Sequence, residues 1–140
     1  YAHTEDALQK LIQEARLITK RRIITVFGCG GDRDRTKRPK MGAAAAELSD
    51  FVILTSDNPR TENPVEIIKG IIKGIKKDNY TVQSDRSSAI KQAVSMAETG
   101  DTLLVAGKGH EDYQEINGIR YPFSDKEEIR KAIQKLKIKN

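Results

Sequence analysis

The chain has few of the residues that mark several common classes of protein. Its 140 residues include one cysteine, Cys29, and no tryptophan. A lone cysteine excludes an internal disulfide and is typical of a reducing compartment. No apolar run approaches the roughly 20 residues that a membrane-spanning helix needs, and the first residues lack the basic-then-apolar order of a signal peptide. We therefore expect a cytoplasmic protein that has no membrane partner.

Aromatic residues make up only 5% of the chain, and this scarcity bears on how its positive charge is interpreted. The net charge of +5 invites a nucleic-acid-binding interpretation. Most of the basic residues, however, are spread over predicted helix faces or gathered at the C-terminus, and no RNA- or DNA-binding motif is present. We therefore expect no nucleic-acid partner. One denser basic cluster stands apart, and it consists of Arg33, Arg35, Lys37, Arg38 and Lys40.

Complete phosphate-binding and metal-binding motifs are also missing. Gly28 and Gly30 match the first two glycines of G-x-G-x-x-G, but Arg33 stands in the place of the third, and no G-x-x-x-x-G-K-[ST] exists. The glycine-rich segment is therefore either a tight turn or a phosphate cradle. The two histidines, His3 and His110, have no C-x-x-C or H-E-x-x-H spacing beside them, so we expect no metal site.

What the chain does contain is an alternation of strand and helix patterns. Apolar residues at helical spacing, with capping residues before them, predict helices over about 4–18, 41–48, 63–75, 85–96 and 124–136. Short β-branched or apolar runs predict strands at 23–27, 51–55, 80–83 and 102–106. The last of these is almost wholly apolar, so we expect it to be a central strand.

These elements predict a single α/β domain over residues 1–140. Strands that alternate with helices form a Rossmann-like, mostly parallel sheet with helices on both faces. Asn117-Gly118 lies between two short strand-like runs and predicts a C-terminal β-hairpin with a type I′ turn. The proportions of 37% hydrophobic and 32% charged residues are ordinary for a globular domain.

The most informative segment is the tetrapeptide Asp57-Asn58-Pro59-Arg60, here called the 57–60 turn. It follows the predicted strand 51–55, and proline cannot continue a central strand because its nitrogen donates no hydrogen bond. The chain therefore leaves the sheet while carrying an acid, an amide and a guanidinium. An arginine fixed in such a turn can bind a carboxylate through two parallel hydrogen bonds, which predicts a small anionic ligand.

Two further loops follow predicted strands and carry polar residues and glycines. They are the glycine-rich loop, residues 28–39, and the 106–111 loop. In open α/β sheets, ligands bind outside the carboxyl ends of the strands, so we expect these loops to meet the 57–60 turn. Surface turns would account for His110 or Glu111 taken alone, and Cys29 is expected to be a small buried filler rather than a nucleophile.

Taken together, the motifs resemble the C-terminal domain of the Mur ligases, in particular those members that add 2,6-diaminopimelate. The matching runs are Y-A-H-T-x-D-A-L at 1–8, the segment 26–39, T-S-D-N-P-R at 55–60 and A-G-K-G-H-E-x-Y-Q at 106–114. They cover nearly the whole chain in the family's order. The chain also lacks an initiator methionine, and we expect it to be a piece of a longer protein.

The resemblance implies an ATP-dependent, amide-forming reaction of peptidoglycan synthesis. In this family ATP phosphorylates the substrate's terminal carboxylate, the amine of the incoming amino acid attacks the acyl phosphate, and an amide forms with release of ADP and phosphate. For the members that the motifs resemble, the substrate is the UDP-N-acetylmuramoyl-dipeptide and the amino acid is meso-diaminopimelate. ATP and Mg²⁺ would serve the full-length enzyme, with Mg²⁺ held mainly by its central domain. The P-loop, the UDP-sugar domain and the family's modified lysine are missing here. The chain alone, expected to be a monomer, would therefore not turn over ATP.

The resemblance also implies roles for single residues, none of them catalytic. Contacts to diaminopimelate would come from Arg33, Asp57, Asn58, Pro59, Arg60, Gly107 and Glu111, with Arg60 binding the distal carboxylate and Glu111 suited to an ammonium group. Residues facing the nucleotide would be His3, Arg35, Lys37 and Arg38. Two alternatives are a free-standing ligand-binding or interaction module without ligase activity and, with less support, a basic nucleic-acid binder.

Overall fold

The elements of the computed structural model alternate along the chain as the sequence predicts. The structure describes residues 4–108 and 111–139, with side chains up to residue 136. The helices are α1 (Glu5–Ile18), α2 (Lys37–Leu48), α3 (Pro64–Ile72), α4 (Arg86–Met96) and α5 (Asp125–Lys139). The strands are β1 (Ile23–Phe27), β2 (Phe51–Leu54), β3 (Tyr80–Val82), β4 (Thr102–Val105), β5 (Tyr113–Ile116) and β6 (Ile119–Pro122).

The main sheet has four parallel strands in the order β3-β2-β1-β4. All of β1 is buried, as expected for a strand paired on both sides. The prediction that the fourth strand is central is wrong, because β4 pairs with β1 alone among the described strands. Its apolar character has another cause, since Leu104 packs on the core of one sheet face and Leu103 and Val105 pack on that of the other.

Helices cover both faces of this sheet, which confirms the predicted fold class. On one face α1, α2 and α3 contribute Leu8, Met41 and Ile71 to a core with Phe27 of β1. On the other face α4 packs against β1 and β2, and α5 packs against α4 in a cluster that includes Leu103 and Val105 of β4. Each fully buried large aliphatic side chain contributes about 1.5–3 kcal/mol. Within the described residues, no helix combines the length and apolarity required to cross a bilayer.

Helix α2 begins four residues earlier than the predicted start at Met41. Pro39 lies in its first turn, a position where proline is tolerated because the N–H groups there have no intrahelical acceptor. Lys37 and Arg38 of the basic cluster therefore belong to this first turn. Their side chains consequently start from a rigid helix rather than from a loop.

The C-terminal hairpin is confirmed, with β5 and β6 paired antiparallel. Asn117 and Gly118 have φ values of 51° and 78°, the left-handed pair that a type I′ turn requires. A single parallel bridge joins Ile116 of this hairpin to Arg60. The hairpin is thereby attached to the 57–60 turn rather than to an edge of the main sheet.

Candidate functional site

A cavity opens where the carboxyl ends of β1, β2 and β4 lie together. Its volume is about 440 Å³. The three strands are parallel neighbours, so the loops that follow them converge at one sheet edge. The residues in its wall are Thr4, Gly28, Cys29, Gly30, Arg33, Asp34, Lys37, Arg38, Met41, Asp57, Asn58, Arg60 and Glu111.

The structure brings most of the candidate residues predicted from sequence to this cavity. Its wall includes Arg33, Lys37, Arg38, Asp57, Asn58, Arg60 and Glu111. Pro59, Gly107 and Arg35 are not among the lining residues. Gly107 adopts a positive φ of 116° directly behind Asp57, and Pro59 is buried against the glycine-rich loop. His3 lies outside the described residues, as do Gly109 and His110.

Arg60 is held by its backbone and by one corner of its guanidinium. Its N–H donates to the Glu115 carbonyl at 3.0 Å, and its own carbonyl accepts from Asn117 N at 2.8 Å. Its φ of 52° lies in the left-handed region. Nη1 donates to the Gly31 carbonyl at 3.0 Å, and no described residue accepts from Nε or Nη2. That Nε–Nη2 edge has the geometry that binds a carboxylate bidentately.

Asn58 is almost fully buried, at 2% exposure, and its amide is oriented by the protein. Its Oδ1 accepts hydrogen bonds from Lys108 Nζ and from Glu115 N, each at 2.9 Å. Because both donors lie on one side, Nδ2 is directed to Glu111 Oε1 at 3.3 Å. The amide therefore links the 57–60 turn to the 106–111 loop and orients the Glu111 carboxylate in the cavity wall.

Lys108 lies beside the cavity, and the sequence motifs did not identify it as a candidate site residue. Its side chain is fully buried, and Nζ lies 2.8 Å from the Tyr113 carbonyl and 3.2 Å from Asp57 Oδ1. Burial lowers the pKa of this ammonium, and the Asp57 carboxylate acts in the opposite direction. The only sequence signal was a lysine between two glycines directly after an apolar strand.

Arg38 points inward to Glu62 even though it belongs to the basic cluster. Its guanidinium holds the carboxylate bidentately, with Nη2 2.8 Å from Oε1 and Nη1 3.0 Å from Oε2. Nη2 also donates to the Gly30 carbonyl at 3.1 Å. This pairing lowers the pKa of Glu62 to about 2. By contrast, Arg33, Arg35 and Lys37 are exposed.

The glycine-rich loop packs directly against the 57–60 turn. Gly31 N donates to the Asn58 carbonyl at 2.8 Å, and a Cβ on Gly31 would lie 1.8 Å from the Pro59 carbonyl oxygen. The close approach of two backbones accounts for glycine at this position. Next to it, Cys29 is buried beside Met41, and burial raises the pKa of its thiol to about 12. Such a thiol fits a filler role.

Across the described residues, no three His, Cys, Asp or Glu side chains are grouped so that they could hold a metal ion. The cavity wall offers guanidinium and ammonium groups that can bind an anion, and the carboxylates of Asp34, Asp57 and Glu111 that can bind a cation. This set suits a small molecule that carries both charges.

Comparison with known proteins decides the family. Residues 1–109 match the family described as Mur ligase, glutamate ligase domain. The chain belongs to the Mur ligase family. The match confirms the resemblance, and within the family it concerns the C-terminal domain.

Named relatives and a solved structure agree with the family match. The Mur ligase domain is 52% identical over 134 residues to "UDP-N-acetylmuramoyl-L-alanyl-D-glutamate--2,6-diaminopimelate ligase" of Aquifex aeolicus, covering 95% of this chain and 28% of that protein. It is 54% identical over 136 residues to the ligase of the same name from Gloeobacter violaceus, covering 96% of this chain and 28% of that protein.

A solved structure of a ligase of that name superposes with a TM-score of 0.94 at 47% identity, covering 98% of this chain and 28% of that one. The Mur ligase domain thus spans little more than a quarter of the length of these relatives.

Proposed function

We propose that residues 1–140 are the C-terminal, amino-acid-binding domain of an ATP-dependent ligase. The full-length enzyme would add meso-diaminopimelate to UDP-N-acetylmuramoyl-L-alanyl-D-glutamate in peptidoglycan synthesis in the cytoplasm. The observation that carries this proposal is that Arg60, Asp57 and Glu111 line the same cavity. The names of relatives at 50% identity or more support the same choice of substrate.

Diaminopimelate carries an ammonium and a carboxylate at the end remote from the reacting amine, and the cavity offers a partner for each. The Nε–Nη2 edge of Arg60 binds the distal carboxylate, and Arg33 adds positive charge nearby. A bidentate arginine–carboxylate pair contributes on the order of 1.5–3 kcal/mol, or about ten- to a hundredfold in affinity. The carboxylates of Asp57 and Glu111 bind the ammonium.

The same charges explain why lysine would be the poorer substrate. Lysine has the distal ammonium but no second carboxylate. Bound lysine would leave the Arg60 guanidinium without a partner inside the cavity. A polar group that is left unpaired in a binding site lowers the affinity for an analogue that lacks the matching group. Gly107 and Pro59 act behind the wall, where they shape the loops that carry Asp57 and Arg60.

The nucleotide would meet the exposed part of the basic cluster. Arg35 and Lys37 are exposed at the start of α2, and their charges suit phosphate oxygens. Arg38, held by Glu62, supports the loop from behind, and His3 is assigned to the nucleotide by the resemblance alone. As the resemblance implies, Mg²⁺ would be held mainly by the central domain of the full-length ligase. The domain alone, taken to be a monomer, would not turn over ATP.

The test is amino-acid choice in the full-length protein encoded with this chain. We expect the wild type to prefer meso-diaminopimelate to lysine, and Arg60→Ala to lose about ten- to a hundredfold of that preference. Arg130→Ala is the matched control, since Arg130 is an exposed arginine of α5 that pairs with Glu127. A wild type that does not discriminate would refute the proposed function. Full discrimination in Arg60→Ala would refute the role of Arg60.

A further inference from the structure

Lys108 lies directly behind the cavity wall, and no part of the proposed recognition scheme uses it. Its side chain has no exposed surface and is not part of the wall. Its ammonium nevertheless contacts the 57–60 turn, Glu111 of its own loop and Tyr113 of the hairpin. We propose that Lys108 is a positioning residue that sets the selectivity of the cavity for diaminopimelate, by orienting Asn58 and Glu111 and by balancing the charge of Asp57. This inference rests on the proposed function.

The first step of the argument is the hydrogen-bond relay. Lys108 Nζ donates to Asn58 Oδ1 at 2.9 Å and to the Tyr113 carbonyl at 2.8 Å, and it forms an ion pair with Asp57 Oδ1 at 3.2 Å. The bond to Asn58 Oδ1 fixes which end of the amide faces Lys108. Nδ2 must then face Glu111 Oε1. Lys108 therefore reaches the cavity through Asn58 and Glu111.

The second step is the charge balance. Asp57 and Glu111 bring two negative charges to the wall, and Lys108 Nζ lies 3.2 Å from the first and 4.0 Å from a carboxylate oxygen of the second. One negative charge remains for a ligand ammonium, and Arg60 supplies one positive charge for a ligand carboxylate. The group of four is neutral overall, which matches the neutral, zwitterionic end of diaminopimelate. Without Lys108 the negative charges of Asp57 and Glu111 are no longer balanced locally, and this side of the cavity favours a ligand ammonium more strongly.

The third step is that stability alone gives a weak reason for a lysine in this place. Removing an ammonium from water is unfavourable, and a buried ion pair is often no more stabilising than a well-packed apolar group of similar volume. Methionine would fill much the same space. Methionine would leave the Asp57 carboxylate buried without its cation, and it would supply neither the charge nor the contact to Asn58 that orients Glu111.

The experiment compares Lys108→Met with wild type in the full-length ligase. We expect KM for meso-diaminopimelate to rise by at least about tenfold, while KM for ATP stays within about twofold. The ratio of kcat/KM for diaminopimelate to that for lysine should fall, since lysine presents only the ammonium. A defect that is merely structural would lower kcat/KM for diaminopimelate and kcat/KM for lysine by the same factor. Lys69→Met is the control, because Lys69 is an exposed lysine of α3.

A double-mutant cycle tests whether Lys108 acts through the wall. The losses in Lys108→Met and Glu111→Gln should be non-additive in kcat/KM for diaminopimelate, and additive losses would overturn the relay. If Lys108→Met does not fold, Asn58→Asp replaces it, because an aspartate still accepts from Lys108 and Glu115 N but repels Glu111. The same selective rise in KM is then expected, and an unchanged KM would overturn the inference.

The two proposals fail in different ways. A wild type that does not use diaminopimelate refutes the proposed function. A wild type that prefers diaminopimelate, together with a Lys108→Met variant that keeps both its KM and its preference over lysine, refutes the role of Lys108 alone.

Discussion

Arg86 binds Asp125 through two parallel hydrogen bonds, with Nε 2.7 Å from Oδ1 and Nη2 2.7 Å from Oδ2. The arginine is 1% exposed. Its other bonds run from Nη1 to the Ser56 carbonyl at 3.0 Å and from Nη2 to the Ala106 carbonyl at 3.2 Å. The Ser56 carbonyl lies directly before the 57–60 turn, and the Ala106 carbonyl lies at the start of the 106–111 loop. One guanidinium thus joins the first turn of α5 to two of the loops that build the cavity.

Breaking this pair from one side should destabilise the domain strongly. Arg86→Met leaves the Asp125 carboxylate buried without its partner, and we expect a loss of about 3–5 kcal/mol in the free energy of unfolding. Replacing both partners, as in Arg86→Met with Asp125→Leu, should cost less than the sum of the two single changes. Urea denaturation of the chain and its variants measures all three values. Strictly additive losses would show that the two side chains do not depend on each other.

Gly31 should tolerate no side chain, because a Cβ there would lie 1.8 Å from the Pro59 carbonyl oxygen. We expect Gly31→Ala to push the glycine-rich loop away from the 57–60 turn, with a loss of about 1–3 kcal/mol in unfolding free energy. The full-length ligase should also show a higher KM for diaminopimelate. Gly118→Asn is the control, since the space around Gly118 is open and asparagine accepts a positive φ. Equal losses in both variants would contradict the steric argument.

The Arg38–Glu62 pair should make stability depend on pH in the acid range. The pKa of Glu62 is about 2 in the folded protein and 4.5 ordinarily, so the unfolded chain takes up its proton first as pH falls. The stabilisation is complete above pH 4.5 and is lost as the pH falls towards about 2. The unfolding free energy of wild type minus that of Glu62→Gln, measured between pH 7 and pH 2.5, should shrink in this window. A difference that stays constant would show that the carboxylate is not held by Arg38.

The fold could be predicted largely because its signals are local. Asn117-Gly118 specifies the turn by its own backbone preferences, and Thr4, Asn63 and Asp85 cap helices by accepting hydrogen bonds from backbone N–H groups two or three residues later in the chain. The prediction that β4 is a central strand was wrong because an apolar run indicates only that both faces of the strand are covered by other residues. It carries no information about whether another strand lies alongside.

Most of the candidate residues that line the cavity could be predicted from the sequence, but the contacts between their side chains could not. The 57–60 turn and Glu111 could be assigned to one cavity because parallel strands bring their carboxyl ends together. The burial of Lys108 could not be foreseen, since its partner Asn58 lies 50 residues earlier in the chain. Arg38 resembled its exposed neighbours in sequence, and only its contact with Glu62 distinguishes it. Charged residues are the hardest to place because the same side chain suits solvent, a ligand or a buried partner.

Under the proposed function, the left-handed backbone of Arg60 sets stability against amino-acid selectivity at a single position. A side chain with a Cβ is less stable than glycine in this region by about 1–2 kcal/mol, and φ at Arg60 is 52°. Glycine at position 60 would relieve that strain and remove the guanidinium in the same step. A laboratory selection for heat resistance alone would therefore be expected to replace Arg60, and only a selection that also scores the choice of amino acid would retain it.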